Sequence, residues 1–348
     1  MLDIKDMSAD ELENLLLNLG ENRYRAAQIN KWVYRFAATS FDEMTNISKA
    51  LKEKLSKQLY ISLLSPIKYL KSKDGTRKYL FKLEDESLIE SVIIPEISRL
   101  TLCISTQVGC KLGCKFCLTG NGGFIRNLKT AEIINQICSI KDSLPENENI
   151  SNIVLMGMGE PLANYKNTLK ALHIITDPVG LQFSPRKVTL STAGLVPGII
   201  RLGKDTKINL AVSLNATEDD TRDYLMPINR KYPLDTLLKA CREYPLPTRK
   251  RITFEYILIK GINDSVDDSK RLVNILKGIR CKINLISFNE HPYCEFKSPD
   301  NQTINAFQQV LIKSHYTSII RASKGKDILA ACGQLGGKQL QLREKTPI

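Results

Sequence analysis

Histidine is scarce in this chain, which has three among 348 residues, namely His173, His291 and His315. None of the three lies near the closely spaced cysteines at 103–117 in the sequence. Zinc sites normally use four cysteine or histidine ligands, so this scarcity argues against a zinc site with mixed ligands. The clustered thiols therefore require another explanation.

Long apolar runs are also lacking. The longest apolar stretches, such as residues 153–158, fall far short of the roughly 20 residues that span a bilayer. The amino-terminal segment "MLDIKDMSADELENLL" is acidic and has a helical pattern, without the basic region and continuous apolar region of a secretory signal. The sequence therefore predicts a cytoplasmic protein without a membrane partner.

The composition is that of a globular protein with an excess of positive charge. Hydrophobic residues make up 43% and charged residues 25% of the chain, which argues against a disordered class. The formal net charge of +13 favours an acidic partner, most simply nucleic acid. Charge alone leaves the partner open, because many basic proteins bind no nucleic acid.

The first hundred residues predict two small units. Residues 1–60 show leucines at helical spacing, and Ser8 with Glu11 forms a candidate capping box, which indicates a helical accessory domain. We expect this domain to contribute to RNA binding. Residues 61–99 change to short alternating β segments with an Asp-Gly turn, which indicates a small antiparallel β connector.

Residues 100–337 alternate between apolar strand candidates and helical patterns, which is typical of parallel strands with crossover helices. Residues 338–348 are expected to form a loose tail. Six strand candidates are too few for an eight-stranded barrel, so a doubly wound sheet and an open partial barrel both fit. These candidates are "TLCIS", "NIVLMGM", "KVTLST", "INLAVSL", "ITFEYILI" and "KINLISF".

Three cysteines, Cys110, Cys114 and Cys117, follow the first of these strands in a C-x3-C-x2-C pattern. The chain has nine cysteines in all, and in a reducing compartment clustered thiols are candidates for metal or redox chemistry. An iron–sulfur cluster held by three thiolates fits the pattern, since it leaves one iron open for a substrate or cofactor.

The loop Cys110-Lys-Leu-Gly-Cys114-Lys-Phe-Cys117 resembles the cluster loop of radical S-adenosylmethionine (SAM) enzymes. The resemblance implies an α/β fold with a partial (β/α)6 TIM-like barrel, and it decides between the two architectures left open above. It also implies a [4Fe-4S] cluster, SAM as a second cofactor, and an electron donor of the flavodoxin or ferredoxin type. The residues matching the SAM-binding motifs are Gly159, Glu160, Ser191, Ser213, Leu214, Asn215 and Asn289.

Longer segments, among them "TLCISTQVGC", "MGMGEPLAN", "LMPINRKYP" and "DILAACGQL", resemble the bacterial dual-specificity 23S rRNA and tRNA adenine-C2 methyltransferases. The resemblance implies methylation of an adenosine in the peptidyl-transferase centre of 23S rRNA and of the adenosine 3′ of the anticodon in tRNA. It implies a monomer that uses two SAM molecules per turnover. The basic segments "KSKDGTRK", "FIRNLK", "NRKYP" and "PTRKR" then become candidate phosphate contacts.

The resemblance also implies a role for thiols outside the cluster loop. By motif, Cys332 carries the methyl group and forms a covalent adduct with the RNA, and Cys103 releases the product through a transient Cys103–Cys332 disulfide. Glu90 matches the residue that accepts the C2 proton. The other cysteines, Cys138, Cys241, Cys281 and Cys294, match no motif and are interpreted as packing residues.

One position departs from the family pattern, because Asn215 stands where these enzymes usually have histidine. Asparagine can still hydrogen-bond a ribose hydroxyl, but it cannot change charge near neutral pH. Two other functions remain in view. One is methylation of adenine C8 by the related antibiotic-resistance enzymes, and the other is a non-catalytic iron–sulfur protein that binds RNA.

Overall fold

The computed structural model describes residues 1–291 and 293–336, so the predicted tail at 338–348 lies outside the described residues. Within the described part the α-helices are α1 (Ala9–Asn18), α2 (Tyr24–Tyr34), α3 (Lys49–Gln58), α4 (Leu118–Asn121), α5 (Thr130–Asp142), α6 (Tyr165–Thr176), α7 (Val196–Asp205), α8 (Asp219–Leu225), α9 (Leu234–Arg242), α10 (Val266–Ile275) and α11 (Asn301–Lys313). The strands are β1 (Leu2–Asp3), β2 (Leu59–Tyr60), β3 (Pro66–Lys71), β4 (Arg77–Lys82), β5 (Leu88–Glu96), β6 (Arg99–Cys103), β7 (Gln107–Gly109), β8 (Phe124–Asn127), β9 (Asn152–Leu155), β10 (Val188–Thr192), β11 (Asn209–Ser213), β12 (Ile252–Leu258), β13 (Cys281–Ser287) and β14 (Ser318–Arg321).

The amino-terminal residues form the helices α1, α2 and α3, as the leucine spacing predicts. The predicted capping box is confirmed, because Ser8 Oγ accepts a hydrogen bond from the Glu11 amide (3.2 Å) and the Glu11 carboxylate accepts one from the Ser8 amide (2.7 Å). The short strands β1 and β2 pair in parallel and bring the two ends of the helical segment together. Its buried apolar side chains include Leu12, Leu16, Ile29, Val33, Leu51 and Leu55.

A ten-stranded sheet forms the rest of the fold, in the order β14-β13-β12-β11-β10-β9-β6-β5-β4-β3. All six predicted strand candidates lie in it and pair in parallel, and β14 adds a further parallel strand at the end of the sheet. The antiparallel strands β3, β4 and β5 continue this sheet, because β5 hydrogen-bonds to β6 with Val92 opposite Cys103.

The sheet curls into an open barrel. Side chains of β5, near one end of the sheet, and side chains of β14, at the other end, line the same cavity of about 500 Å³. Because side chains alternate between the two faces of a strand, Cys103 and its neighbours Val92 and Val154 face this cavity together. The barrel interior thus holds a cavity lined by both polar and apolar side chains. No helix in the described ranges is long and apolar enough to cross a bilayer.

Candidate active site

The loop that carries Cys110, Cys114 and Cys117 is fixed by main-chain hydrogen bonds at its base and in its middle. The strands β7 and β8 pair beneath it, and the Cys110 amide donates to the Gly123 carbonyl (3.0 Å). Farther along, the Cys117 amide donates to the Cys114 carbonyl (3.1 Å), and the Lys115 amide donates to the Leu225 carbonyl (3.0 Å). The loop is therefore preformed by contacts with its own chain.

The three thiols of this loop form one electrostatic group. Burial raises the pKa of Cys110 to about 12, and burial followed by the neighbouring Cys117 and Cys110 thiols raises that of Cys114. In residues 1–291 and 293–336 no three side chains of ligand type converge closely enough to hold a single metal ion. A four-iron cluster needs a wider arrangement, because each thiolate binds a different iron atom. The donor set fits that cluster.

A glycine just before the first cluster cysteine is required by the loop geometry. Gly109 has φ +75°, and a Cβ atom there would lie 1.9 Å from the Gly123 carbonyl oxygen. We expect Gly109→Ala to lower the free energy of unfolding by at least about 3 kcal/mol and to reduce the iron content, because the Cys110 backbone must move. Denaturant unfolding and iron analysis would measure both effects.

Gly113 provides the matched control for that prediction. It has φ +65° in the same loop, but a Cβ atom there would meet no atom within 4 Å. We expect Gly113→Ala to cost only the conformational penalty, about 1 to 2 kcal/mol, and to retain iron. Equal losses in the two variants would contradict a role for the contact between Gly109 and Gly123.

Gly159 and Glu160 lie at the carboxyl end of β9, beside the cluster loop. Gly159 has φ +100°, and a Cβ atom there would come within 2.5 Å of the Gln107 side chain. The Glu160 carboxylate accepts hydrogen bonds from the amides of Leu162 (3.1 Å) and Ala193 (2.8 Å). Burial raises the pKa of Glu160 to about 7. A positively charged ligand group, such as an amino group, would stabilise its ionised form.

The ends of β10 and β11 are joined by Arg222, which the sequence analysis did not single out. Its guanidinium donates to the carbonyls of Ala193 (2.8 Å), Ser213 (3.2 Å) and Leu214 (3.0 Å), and it is fully buried. Burial lowers its pKa to about 10. Arg222 thus fixes the backbone around Ser213 and Leu214. Ser191, two residues before Ala193, lies on the same edge of the sheet.

Asn215 adopts a left-handed backbone conformation with φ +58°, which asparagine tolerates better than most residues. Its side-chain oxygen accepts from the Ile257 amide (2.8 Å), and its nitrogen lies 3.2 Å from Met226 Sδ. The side chain is completely buried. Asn215 stands where the family usually has histidine. Its side chain links the end of β11 to β12 by the hydrogen bond to the Ile257 amide and does not line the cavity.

The carboxyl-terminal segment 329–336 brings Cys332 to the cluster loop. The Leu118 amide donates to the Gly333 carbonyl (2.7 Å), and the Thr119 hydroxyl donates to the Leu335 carbonyl (2.8 Å). The Asn289 amide nitrogen donates to the Cys332 carbonyl (3.1 Å). The other Asn289 side-chain atom, Oδ1, is buried without a hydrogen-bond partner in the described part of the chain, which leaves it available to a ligand.

Cys103 and Cys332, 229 positions apart in sequence, line the same cavity together with Cys117. Burial, and then the neighbouring Cys332 thiol, raises the pKa of Cys103 to about 12. Cys332 is an exposed residue that opens to the cavity, and desolvation by the protein around its sulfur raises the pKa of the thiol. Neither cysteine is in a disulfide. The structure thus brings together the two thiols that sequence resemblance alone connected.

Glu90 lies on β5 on the same face as Val92, with its carboxylate buried. One oxygen forms an ion pair with Lys78 (3.2 Å), and the other accepts a hydrogen bond from the Gly336 amide (2.7 Å). Lys78 also donates to the Leu329 carbonyl (3.0 Å). Glu90 and Lys78 therefore hold the two ends of the segment that presents Cys332.

We expect Lys78→Met to lower the free energy of unfolding by about 3 to 5 kcal/mol, because it leaves the buried Glu90 carboxylate without its cation. The control is Lys82→Met on the same strand, since Lys82 pairs with Glu86 at the exposed surface. It should cost less than about 1 kcal/mol. Denaturant unfolding measures both variants, and a small loss in Lys78→Met would contradict a stabilising role for the buried pair.

Several basic residues of the predicted phosphate contacts bind acidic residues of the same chain. Arg126 pairs with Asp85 (2.6 Å) and Glu132 (2.7 Å). Arg77 pairs with Glu148. Sequence patterns cannot distinguish a basic side chain that faces solvent from one paired within the fold, so these residues are weaker candidates for RNA contacts than their charge suggested.

Comparisons with known proteins agree with this geometry. A family model of the ribosomal RNA large subunit methyltransferase N-terminal domain matches residues 2–61, and a model of the radical SAM superfamily matches residues 104–273. The dual-specificity RNA methyltransferase RlmN of Syntrophus aciditrophicus is 57% identical over 340 residues, which cover 98% of each chain. The chain belongs to the RlmN family. The RlmN protein of Geobacter sulfurreducens is 56% identical over 338 residues, covering 97% of this chain and 93% of its own.

A solved structure extends the RlmN comparison to the fold. The crystal structure of a radical SAM methyltransferase from Sphaerobacter thermophilus matches with a TM-score of 0.89 and 42% identity, covering 97% of this chain and 99% of that chain. The predicted α/β radical SAM fold is therefore confirmed. A [4Fe-4S] cluster and SAM are the cofactors of this superfamily, and the thiol loop and the Glu160 region fit them.

Proposed function

We propose that this chain methylates C2 of adenosine in 23S rRNA and in tRNA, using Cys332 as the carrier of the methyl group. The observation that supports this function most strongly is the single cavity lined by Cys103, Cys332 and Cys117. A methyl carrier must reach both the cofactor site and the resolving thiol. The shared lining supports this role for Cys332.

The cofactors supply the methyl group and the 5′-deoxyadenosyl radical that activates it. Such chemistry is needed because adenine C2 is an electron-poor carbon, which cannot attack a sulfonium methyl group as a nucleophilic nitrogen would. The chain's residues hold the reactive carbon and complete the transfer. The carbon of the methyl group on Cys332 forms a bond to C2 while it is still attached to the sulfur. The enzyme and the RNA are then joined in a covalent adduct.

Release of the product requires a base and a second thiol. In the proposed sequence Glu90 accepts the C2 proton, and the unpaired electron of the adduct would return to the cluster that the three-thiol loop holds. Cys103 sulfur, having lost its proton, then bonds to Cys332 sulfur. The bond between Cys332 sulfur and the transferred carbon breaks with its electron pair on the carbon, which takes up a proton and becomes the methyl group. The register of β5 and β6 supports these roles, because Glu90 lies diagonally from Cys103, whose direct partner is Val92. A cellular thiol reductant must then return the disulfide to two thiols.

The RNA substrates and the cellular context belong to the same proposal. The net charge of +13 supports binding of a polyanion, and the helical domain at residues 2–61 is a candidate for part of that surface. The need to reduce both a cluster and a disulfide supports a cytoplasmic enzyme served by a flavodoxin- or ferredoxin-type donor. The proposed route needs no residue from a second copy of the chain, and the enzyme is proposed to act as a monomer.

The test is the product formed on unmodified RNA. We expect the reconstituted protein, with SAM and a reductant, to convert one adenosine of 23S rRNA and one of tRNA to 2-methyladenosine, detected by nuclease digestion and mass spectrometry. Formation of 8-methyladenosine would contradict the C2 assignment. Absence of 5′-deoxyadenosine, with the cluster intact, would instead favour a non-catalytic RNA-binding protein.

A further inference from the structure

A buried carboxyl group in the barrel interior is unused by the roles given so far. Glu255 lies on β12, is 6% exposed, and lines the same cavity as Cys103 and Cys332. Its Oε1 atom accepts a hydrogen bond from Asn284 Nδ2 on β13 (2.9 Å). Its Oε2 atom is buried and has no hydrogen-bond partner among residues 1–291 and 293–336.

Two cationic side chains lie near Glu255, but neither bonds its free oxygen. Lys282 on β13 and Arg321 on β14 are near enough to influence the charge of Glu255, yet in the described residues neither donates a hydrogen bond to Oε2. The charge of Glu255 in turn helps to raise the pKa of the Cys332 thiol, after burial as the larger cause. A buried carboxyl oxygen without a partner is costly, so a protein retains one where a ligand supplies the partner.

The proposed function fixes which ligand atoms lie near this oxygen. When C2 of the target adenine faces Cys332, the adjacent N1 atom and the N6 amino group lie along the same edge of the base. We propose that Glu255 is a specificity-determining residue that hydrogen-bonds through Oε2 to this Watson–Crick edge of the target adenine. The inference rests on the proposed function, because only that function brings C2 to Cys332.

The chemistry of the contact distinguishes adenine from guanine. A protonated carboxyl group donates to adenine N1, which accepts, and burial raises the pKa of Glu255 in favour of that form. Guanine presents a donor at N1 and carries an amino group on C2 itself. A hydrogen bond to N1 also withdraws electron density from the ring, which favours addition of an electron-rich carbon radical at C2 and makes the C2 proton more acidic.

The test compares Glu255→Ala and Glu255→Gln with the wild-type holoenzyme on an RNA that carries adenosine or 1-deazaadenosine at the target position. We expect Glu255→Ala to form 2-methyladenosine about 100-fold more slowly. Glu255→Gln should stay within about tenfold of wild type, because its amide still donates to N1 and accepts from N6. Replacing adenosine by 1-deazaadenosine should slow the wild-type enzyme. The factor by which it slows Glu255→Ala should be at least about tenfold smaller, since that variant has already lost the contact to N1.

Two further measurements separate this role from a structural one. Cys332 should still become fully methylated in Glu255→Ala, and the thermal unfolding midpoint should not fall, because neither needs the target base and the Oε2 atom that is removed had no partner in the described residues. Loss of Cys332 methylation together with product, or equal penalties for 1-deazaadenosine in the two enzymes, would overturn the proposal. Failure of the proposed function itself would be visible separately, as absence of 2-methyladenosine with the wild-type enzyme and unmodified RNA.

Discussion

Cys103→Ala is expected to stop the reaction after the covalent bond to RNA has formed, so that enzyme–RNA adduct accumulates while free product falls to background. Cys103 lines the cavity that also contains Cys332, and its thiol is the one whose pKa the Cys332 thiol raises further. Besides Cys103 and Cys332, Cys117 is the only cysteine that lines the cavity in the described part of the chain, and by motif it is a cluster ligand. Without the Cys103 thiol, no free thiol therefore remains to accept the Cys332 sulfur as the carbon leaves. Denaturing gel electrophoresis of labelled RNA measures the adduct directly.

Two controls make the Cys103→Ala result specific. The double variant Cys103→Ala/Cys332→Ala should form no adduct, because the atom bonded to RNA is missing. Cys138→Ala removes a thiol on α5 that borders a different surface recess, so it should turn over normally. Normal turnover by Cys103→Ala, with no adduct, would assign the release of product to another residue.

The parallel strands were predictable because their signal is local. Runs such as "ITFEYILI" are largely apolar, and each of the six runs forms a strand. Pairing across the sheet was not predictable, since periodicity says nothing about which strands become neighbours. The sequence therefore predicts a small β connector at 61–99, whereas in the structure its strand β5 pairs with β6 in one continuous sheet. The strand β14 was missed because four residues show too little alternation.

Some residues of the candidate site could likewise be predicted from local sequence, and others could not. The cluster loop was predictable from the spacing of three cysteines, and Gly159 from a motif whose geometry excludes a side chain. Arg222 and Glu255 were missed because their roles depend on contacts with distant strands. A sequence signal did exist for Glu255, which lies between Phe254 and Tyr256 in a largely apolar strand. Arg222 has polar neighbours in the sequence, and its complete burial is visible only in the structure.

Asn215 has structural hydrogen bonds that the sequence resemblance does not predict. Sequence resemblance placed it among the SAM-binding positions, with a side chain able to bond a ribose. In the structure that side chain bonds the Ile257 amide, and the Asn215 carbonyl accepts from Asn263 (2.7 Å). The left-handed backbone at this position explains why asparagine is tolerated.

Cys332→Ala is expected to lower 2-methyladenosine formation by more than about 1,000-fold, because no other thiol lies on the segment that faces the cluster loop. The fold should persist, since the segment is held by the Gly333 and Leu335 carbonyls rather than by the Cys332 side chain.

In wild-type protein expressed with an intact cluster, the peptide that contains Cys332 should carry one added methyl group. Mass spectrometry of that peptide, with the Cys138 peptide as the unmodified control, checks the carrier role before any RNA is added. An unmodified Cys332 in cluster-loaded enzyme, or product formed by Cys332→Ala, would contradict the proposed route, because both would mean that the methyl group reaches C2 without passing through this sulfur.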